Sequence, residues 1–295
     1  MTQEERELVW FITGTSTGFG RQLVHAALNR GDSVIATARS LDKMQDLEPT
    51  DKLRIMQLDV TEGFPSIKAK VDEAAEYFGR IDVVVNNAGF GYKAILEEGG
   101  SEAFRKQFDT NVFGLLDVTT AVLPHMRARK SGTVVLIGSR SSWAPELLGG
   151  GAYVASKAAV RVLGEALNAE ISPLGLRTLI VEPGGFRTSS AMSRPGGWFE
   201  ENRIADYDIM LAEAKEKMVS AAEHFRGDPR KAMELLVDVV RGEGKAKGKS
   251  WPLYLPMGEL ADAAIRKKTG IMIEVLDEWK DAICDLNVDH CDPEE

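Results

Sequence analysis

The sequence predicts an α/β fold, a doubly wound parallel sheet with helices on both faces, in one domain. Three observations predict it. Short apolar runs such as "LVWFIT" and "IDVVVNN" recur, each continuous rather than alternating, as strands buried on both faces are. Segments with helical spacing separate them. The 295 residues, 44% hydrophobic, suffice for one large core.

The elements follow in order. "LVWFIT" is the first strand, and residues 20–29 form a helix with Leu23, Ala26 and Ala27 on one side. "SVIAT" and "LRIMQL" are the second and third strands. "IKAKVDEAAEYFG" is an amphipathic helix stopped at Gly79. "IDVVVNN" is the fourth strand, residues 101–129 are helical with a break near Asn111, and "GTVVLIGS" is the fifth strand. A long helix covers 152–171, "LRTLIVE" is the sixth strand, and "SWPLYLP" is a candidate seventh. "GDPRKAMELLVDVV" starts a helix with Asp228 as N-cap and Pro229 at its first position. "RGEGKAKGKS" is a surface loop, and 256–295 reads as two helices on the same domain.

Composition narrows the function. A net charge of -9 speaks against nucleic acid and against an anionic bilayer. No apolar run approaches the roughly 20 residues that span a membrane. "MTQEEREL" lacks an apolar signal core, and Cys284 and Cys291 make no disulfide framework, so the cytoplasm is the expected compartment. His25, His125, His224 and His290 are scattered without an H-E-x-x-H, so no metal is expected.

In a sheet of this kind ligands bind at the carboxyl ends of the strands. The first ends in "TGTSTGFG", where Gly14, Gly18 and Gly20 suit either a plain turn or a cradle for a pyrophosphate. The second ends in "IATARS"; where an NAD site keeps a carboxylate, Arg39 suits a 2′-phosphate, favouring NADP(H). In "QLDVT", Asp59 suits an adenine amino group, and in "NNAGFG" Asn86, Ala88 and Gly89 let backbone approach a ribose. "YVASK" puts Tyr153 and Lys157 one helical turn apart, which is either an ordinary helix face or a proton donor beside the cation that tunes it.

Taken together, "TGTSTGFG", "DV" at 59–60, "NNAG", "TNVFG", "GTVVLIGS", "YVASK" and "EPGGFRT" resemble, in order and spacing, the short-chain dehydrogenase/reductase family over residues 8–190. The resemblance implies a Rossmann-like, seven-stranded parallel sheet, with 189–250 forming a substrate-binding loop and helices and 256–295 a C-terminal helical extension. It implies hydride transfer between NADP(H) and the carbonyl or secondary alcohol of a small molecule, with Tyr153 as general acid/base. Lys157, together with the positive oxidised nicotinamide, would lower the Tyr153 pKa, and Lys157 would hold the nicotinamide ribose; Ser139 would fix the substrate oxygen, and Asn111 would hold a relay water. The cofactor would lie along Gly14, Ser16, Thr17, Gly18, Phe19, Gly20, Arg39, Asp59, Val60, Asn87, Ala88 and Gly89, then Asn111, Tyr153, Lys157, Pro183, Gly184, Phe186 and Thr188.

Counting back from Tyr153 by the family's interval lands on Arg140, so one extra residue is expected, most simply in "LLGGG"; Ser139 is favoured and Ser141 is the reserve. The extended form, with "NAGFG" and a late "PLYLPMG", looks like enzymes grouped with retinol and steroid reductases and dehydrogenases, hence a bulky, fairly apolar substrate. Phe90, Tyr92, Trp143, Trp198, Phe199 and Tyr207 are candidates to line its pocket. The family often pairs through the helices near 101–129 and 152–171, so a homodimer or homotetramer is expected. Two other functions use the same scaffold: isomerisation or cyclisation without net redox change, and a cofactor-binding regulator without catalysis.

Overall fold

Successive residues of a strand point to opposite faces, and here both faces are dry. The computed structural model describes residues 7–146, 148–188 and 202–286. Its strands are β1 (Val9–Ile12), β2 (Ser33–Ala38), β3 (Leu53–Gln57), β4 (Val83–Asn86), β5 (Thr133–Ile137), β6 (Arg177–Pro183) and β7 (Tyr254–Met257). Its helices are α1 (Gly18–Asn29), α2 (Phe64–Tyr77), α3 (Leu96–Phe108), α4 (Leu115–Arg129), α5 (Gly151–Ile171), α6 (Asp208–Glu223), α7 (Pro229–Arg241), α8 (Glu259–Glu278) and the short α9 (Lys280–Cys284).

All seven strands are parallel in the order β3-β2-β1-β4-β5-β6-β7, a single Rossmann-like α/β domain. Strand alternation divides the core in two. Trp10 and Ile12 pack with Leu23 of α1 and Leu236 of α7 on one face. Val9 and Phe11 pack with Ile67 of α2, Val118 of α4 and Val160 of α5 on the other. This double burial is why the strands read as unbroken apolar runs. The chain reverses direction across the sheet between β1 and β4, which opens a crevice at their carboxyl ends.

Local signals act as their chemistry requires. Asp228 Oδ1 accepts from the backbone N–H groups of Arg230 (2.8 Å) and Lys231 (3.3 Å), capping α7 ahead of Pro229. Gly79 takes φ +73° just beyond α2, where a side chain would strain. The expected break near Asn111 is a π-helical turn, Asp109–Gly114, between α3 and α4. The candidate seventh strand is the edge strand β7, bonded to β6.

Candidate active site

Six strand ends bring the site together. At the end of β1 the chain turns through Gly14 (φ +69°) and Gly18 (φ +61°) into α1. The closeness of this turn explains its glycines. A Cβ on Gly20 would stand 2.4 Å from the Gly14 carbonyl oxygen, and one on Gly14 would stand 2.8 Å from Ala88 Cα. Asn87 fastens β4 to the turn: its amide donates to the Thr13 (2.9 Å) and Gly14 (3.0 Å) carbonyls. Asn86, one residue earlier, points away and donates to Thr119 of α4 at 2.9 Å, so its side chain is not on the ribose side.

No side chain caps the first turn of α1 among the described residues. Its leading N–H groups thus have no side-chain partner, an arrangement that suits an anion. Ser16, Thr17 and Phe19 lie along this turn, and Thr188, from the loop after β6, stands over it, 3.7 Å from where a Gly18 Cβ would be. Phe186 is buried and meets Phe19 edge to face at 5.3 Å, so it ties the β6 loop to α1. Pro183 ends β6, and Gly184 donates to the Met257 carbonyl at 2.9 Å beside α8. Arg39 is exposed just past β2. Asp59 Oδ1 accepts from the Thr61 N–H (2.9 Å) and hydroxyl (2.8 Å), and Val60 is buried where Gly114 crosses it.

Arg21 was not singled out in the sequence, yet it holds the turn from beneath. It is buried, donates from Nε to the Thr15 carbonyl at 2.9 Å, and is ion-paired with Asp46. An arginine in an amphipathic helix reads as a solvated face; only its position behind the turn reveals this use.

Beside the cradle, Tyr153 and Lys157 project from α5 toward the end of β5. The Tyr153 hydroxyl stands close enough to Ser139 for the serine to draw its pKa down. Ser139 is buried, extended (φ -167°), and its Oγ accepts from the Ser141 N–H at 3.1 Å. Ser141 thus meets Ser139 through its backbone. Leu147, within "LLGGG", lies outside the described residues. Lys157 is buried and donates from Nζ to the Ile137 carbonyl at 2.6 Å, which aims it along β5. Burial pushes its ammonium down to about 8.

The expected lowering of the Tyr153 pKa needs correction. Burial raises the phenol above its ordinary value, and only Ser139 and the Arg140 charge pull it back. Desolvation of the phenolate outweighs these attractions in the protein alone.

Asn111 is buried within the π turn. Its Oδ1 accepts from the Phe90 N–H (3.1 Å), and its amide donates to the Phe90 carbonyl (3.0 Å) and Ser156 Oγ (3.0 Å). It holds the loop after β4 against α5 and makes no direct bond to Lys157. Gly89 passes between them: its Cβ would lie 3.0 Å from Asn111 Oδ1 and 3.6 Å from Lys157 Nζ.

A second residue hidden from sequence reading is Glu182. It is wholly buried in β6 and accepts from Trp143 Nε1 (2.5 Å) and Ser142 Oγ (3.3 Å), bracing the turn that carries Ser139. Burial raises its carboxyl above the usual range. The Trp143 ring lies under Arg161 at 4.6 Å. Trp143, expected as a pocket candidate, is therefore engaged by its nitrogen and one face within the protein. Phe90 and Tyr92 meet edge to face at 6.5 Å, and a Cβ on Gly91, between them, would lie 3.6 Å from the Tyr153 ring. Tyr207 donates to Glu97 at 2.6 Å. Trp198 and Phe199 lie outside the described residues.

Among the described residues no helix is long and apolar enough to cross a membrane, and no three His, Cys, Asp or Glu side chains gather as a metal site.

Known proteins place this arrangement. The family model for short chain dehydrogenases matches residues 8–196. Oxidoreductase BOA17 of Botryotinia fuckeliana is 40% identical over 190 residues, covering 63% of this chain and 68% of that protein. The 3-ketodihydrosphingosine reductase of Bacteroides thetaiotaomicron is 34% identical over 190 residues, covering 62% of this chain and 65% of that one. A short-chain dehydrogenase structure from Streptomyces avermitilis superposes with a TM-score of 0.81 at 32% identity, over 96% of this chain and 100% of that chain. A serine dehydrogenase structure in complex with NADP+ superposes with a TM-score of 0.68 at 26% identity, over 85% and 94% of the two chains. The chain belongs to the short-chain dehydrogenase family of oxidoreductases.

Proposed function

We propose that the chain is an NADP(H)-dependent oxidoreductase acting on the carbonyl or secondary alcohol of a bulky, fairly apolar small molecule, with Tyr153 as general acid/base. The observation that carries this reading is the approach of Tyr153 to Ser139, with Lys157 one turn away and held by the Ile137 carbonyl at 2.6 Å. The cradle fits a dinucleotide: close-packed glycines, an uncapped helix start, and Arg39 at the end of β2. When bound, the nicotinamide supplies or accepts the hydride.

The residues of the chain do the rest. In reduction Tyr153 gives its proton to the substrate oxygen; in oxidation it takes that proton back. Ser139 holds the same oxygen and stabilises the charge that develops on it. Lys157, its ammonium drawn down to about 8 by burial and so still charged at neutral pH, supplies a cation beside the phenol and a donor for the ribose. Asn111 fixes the Phe90 loop and leaves an Oδ1 lone pair toward Gly89 for a relay water. Exposed Phe90 and Leu96 give the mouth an apolar rim, which supports an apolar substrate. The first test is NADPH consumption on a panel of bulky ketones that includes 3-ketodihydrosphingosine, with NADH for comparison. Turnover on at least one ketone supports the reading; tight NADPH binding without turnover on any overturns it.

Two substitutions sort the roles. Ser139→Ala is expected to lower kcat by about 10²–10³-fold, the usual loss for a donor to developing oxyanion charge. Ser141→Ala should stay near the parent rate, because Ser141 reaches Ser139 by its N–H. The reverse pattern in steady-state kinetics would move the catalytic position to Ser141. Arg39→Ala removes a charge-assisted phosphate contact worth about 1.5–3 kcal/mol, so NADPH affinity should fall roughly 10- to 100-fold. NADH affinity should hardly change. An unaltered NADPH Kd in a titration would remove Arg39 from the phosphate site.

Self-association is the remaining part of the proposal. Phe113 in the π turn, Leu116 of α4 and Val162 of α5 are exposed at 54%, 43% and 52%, which supports pairing through these helices.

A further inference from the structure

The amino ends of the strands, opposite the candidate active site, frame a second cavity of about 1040 Å³. It lies where β4, β5 and β6 begin, bounded by the end of α7 and the segment that joins α7 to β7. Small-molecule pockets span about 300–1,000 Å³, so this one is roomy enough for a ligand. The two sites are far apart. Arg177 starts β6 on the cavity, and Pro183 ends it at the active site, about 20 Å away at roughly 3.3 Å per residue. The joining segment is "RGEGKAKGKS", expected from the sequence only as a surface loop. It turns through Gly244 (φ +51°) and Gly248 (φ +77°), and buried Ala246 roots it in the core. Lys245 and Lys249 thereby line the cavity.

The lining is basic, in a chain of net charge -9. Arg177, Lys245 and Lys249 make no ion pair among the described residues. Arg241 also lines the cavity but is engaged by Asp32 (2.6 Å) and Glu243 (3.1 Å). Asp82, the one acidic lining residue among those described, is engaged as well. It accepts from the Val9 N–H (3.0 Å), Arg80 (2.8 Å) and Arg129 (3.2 Å). The Val239 and Asp238 carbonyls that end α7 accept from the N–H groups of Gly242 (3.3 Å) and Glu243 (2.9 Å). Three cations are therefore left for a ligand.

Arg177 is the best positioned of them. Its guanidinium lies over the Trp251 ring at 4.2 Å, and Trp251 Nε1 donates to the Thr178 carbonyl at 3.0 Å. Arg177 Nη2 reaches Thr133 Oγ1 at 3.5 Å, which leaves the other donors of the fork for a ligand. Crowding by the protein draws its pKa below the ordinary value, and no carboxylate offsets that. The same cavity is lined by Leu235 and Val239 of α7 and by Leu255 of β7. An inorganic anion would answer the cations and leave these side chains wet. A neutral apolar molecule would leave the cations unanswered.

We propose that this cavity is a second binding site, for an amphipathic anion: a small apolar body that carries a carboxylate or a phosphate. Such a site stands whether or not Tyr153 transfers a proton. The test is isothermal titration of the full chain with decanoate and with decyl phosphate. At least one is expected to bind, and the tighter of the two identifies the head group. Arg177→Met should weaken that binding about 10- to 100-fold, as loss of a charge-assisted contact does. Lys245→Met/Lys249→Met changes two exposed side chains and should weaken it about tenfold. This double variant decides the matter if Arg177→Met fails to fold, which circular dichroism checks. No binding of either compound, or equal binding by the parent and the folded variants, would overturn the proposal. So would inorganic phosphate binding as tightly as decyl phosphate, because the apolar lining would then have no part.

Discussion

Tyr153→Phe is expected to lower kcat for ketone reduction by about 10²–10⁴-fold while NADPH still binds. The size follows from removing a positioned acid whose role no neighbour duplicates. The substitution deletes one oxygen and keeps the ring beside Gly91, where an added Cβ would lie 3.6 Å from it. The loss should therefore appear in kcat, with the cofactor Kd within about twofold of the parent. Ser139 keeps its place, extended just beyond β5 and bonded to the Ser141 N–H. Stopped-flow absorbance of bound NADPH separates the two quantities. Turnover persisting at more than a tenth of the parent rate would remove Tyr153 from proton transfer and leave another group to be found.

Lys157→Met is expected to make the protein without added nucleotide more stable at neutral pH, even as it impairs turnover. The reason is burial. The folded chain holds the Lys157 ammonium at about 8 against an ordinary 10.5, so a charged lysine costs the fold about 3 kcal/mol. The sign can be worked out from the protons. Between pH 8 and 10.5 the unfolded chain binds the proton and the folded chain does not, so stability rises with pH across that window. Below it the cost is present in full.

Methionine carries no such cost, although the Ile137 carbonyl then loses a donor, which offsets roughly 1 kcal/mol. The variant should gain about 1–3 kcal/mol at pH 7 by urea unfolding. The gain should shrink as pH rises from 8 to 10.5. A variant destabilised equally at both ends of that window would mean that the lysine is not held against its charge. A residue that lowers stability where the site needs it is a common trade in enzymes.

The two effects together describe the site. The phenol is held above its ordinary pKa and the ammonium below it, both by desolvation. Each buried group is thus shifted toward its neutral form, which suits an acid that gives up a proton only when a substrate oxygen develops charge. Binding a cationic nicotinamide on the oxidative side would pull the phenol back toward phenolate, which is the sense in which the family resemblance anticipated a lowered value.

How much of this was legible in the sequence depends on range. Strands buried on both faces announce themselves as apolar runs, because each residue of "VWFI" meets one core or the other. The Asp228 cap, the Gly79 stop and the Asn111 break are local, and short-range chemistry suffices for each. The family was legible because its motifs sit at strand ends, where the fold needs particular residues at particular spacings. Glu182 was not: in "LRTLIVE" it is only the last letter of a strand, and its partners Ser142 and Trp143 come about forty residues earlier. Arg21 was not, since its value lies in what packs above it.

What the sequence determined by itself, then, is the alternation of strands and helices, the family, and a set of candidate site residues, because hydrophobic period, turn chemistry and motif spacing act over a few residues at a time. The tertiary structure decided the strand order, the approach of Tyr153 to Ser139, and the direction in which burial moves the two key pKa values. Those depend on which distant segments exclude water from one another, and no local spacing records that.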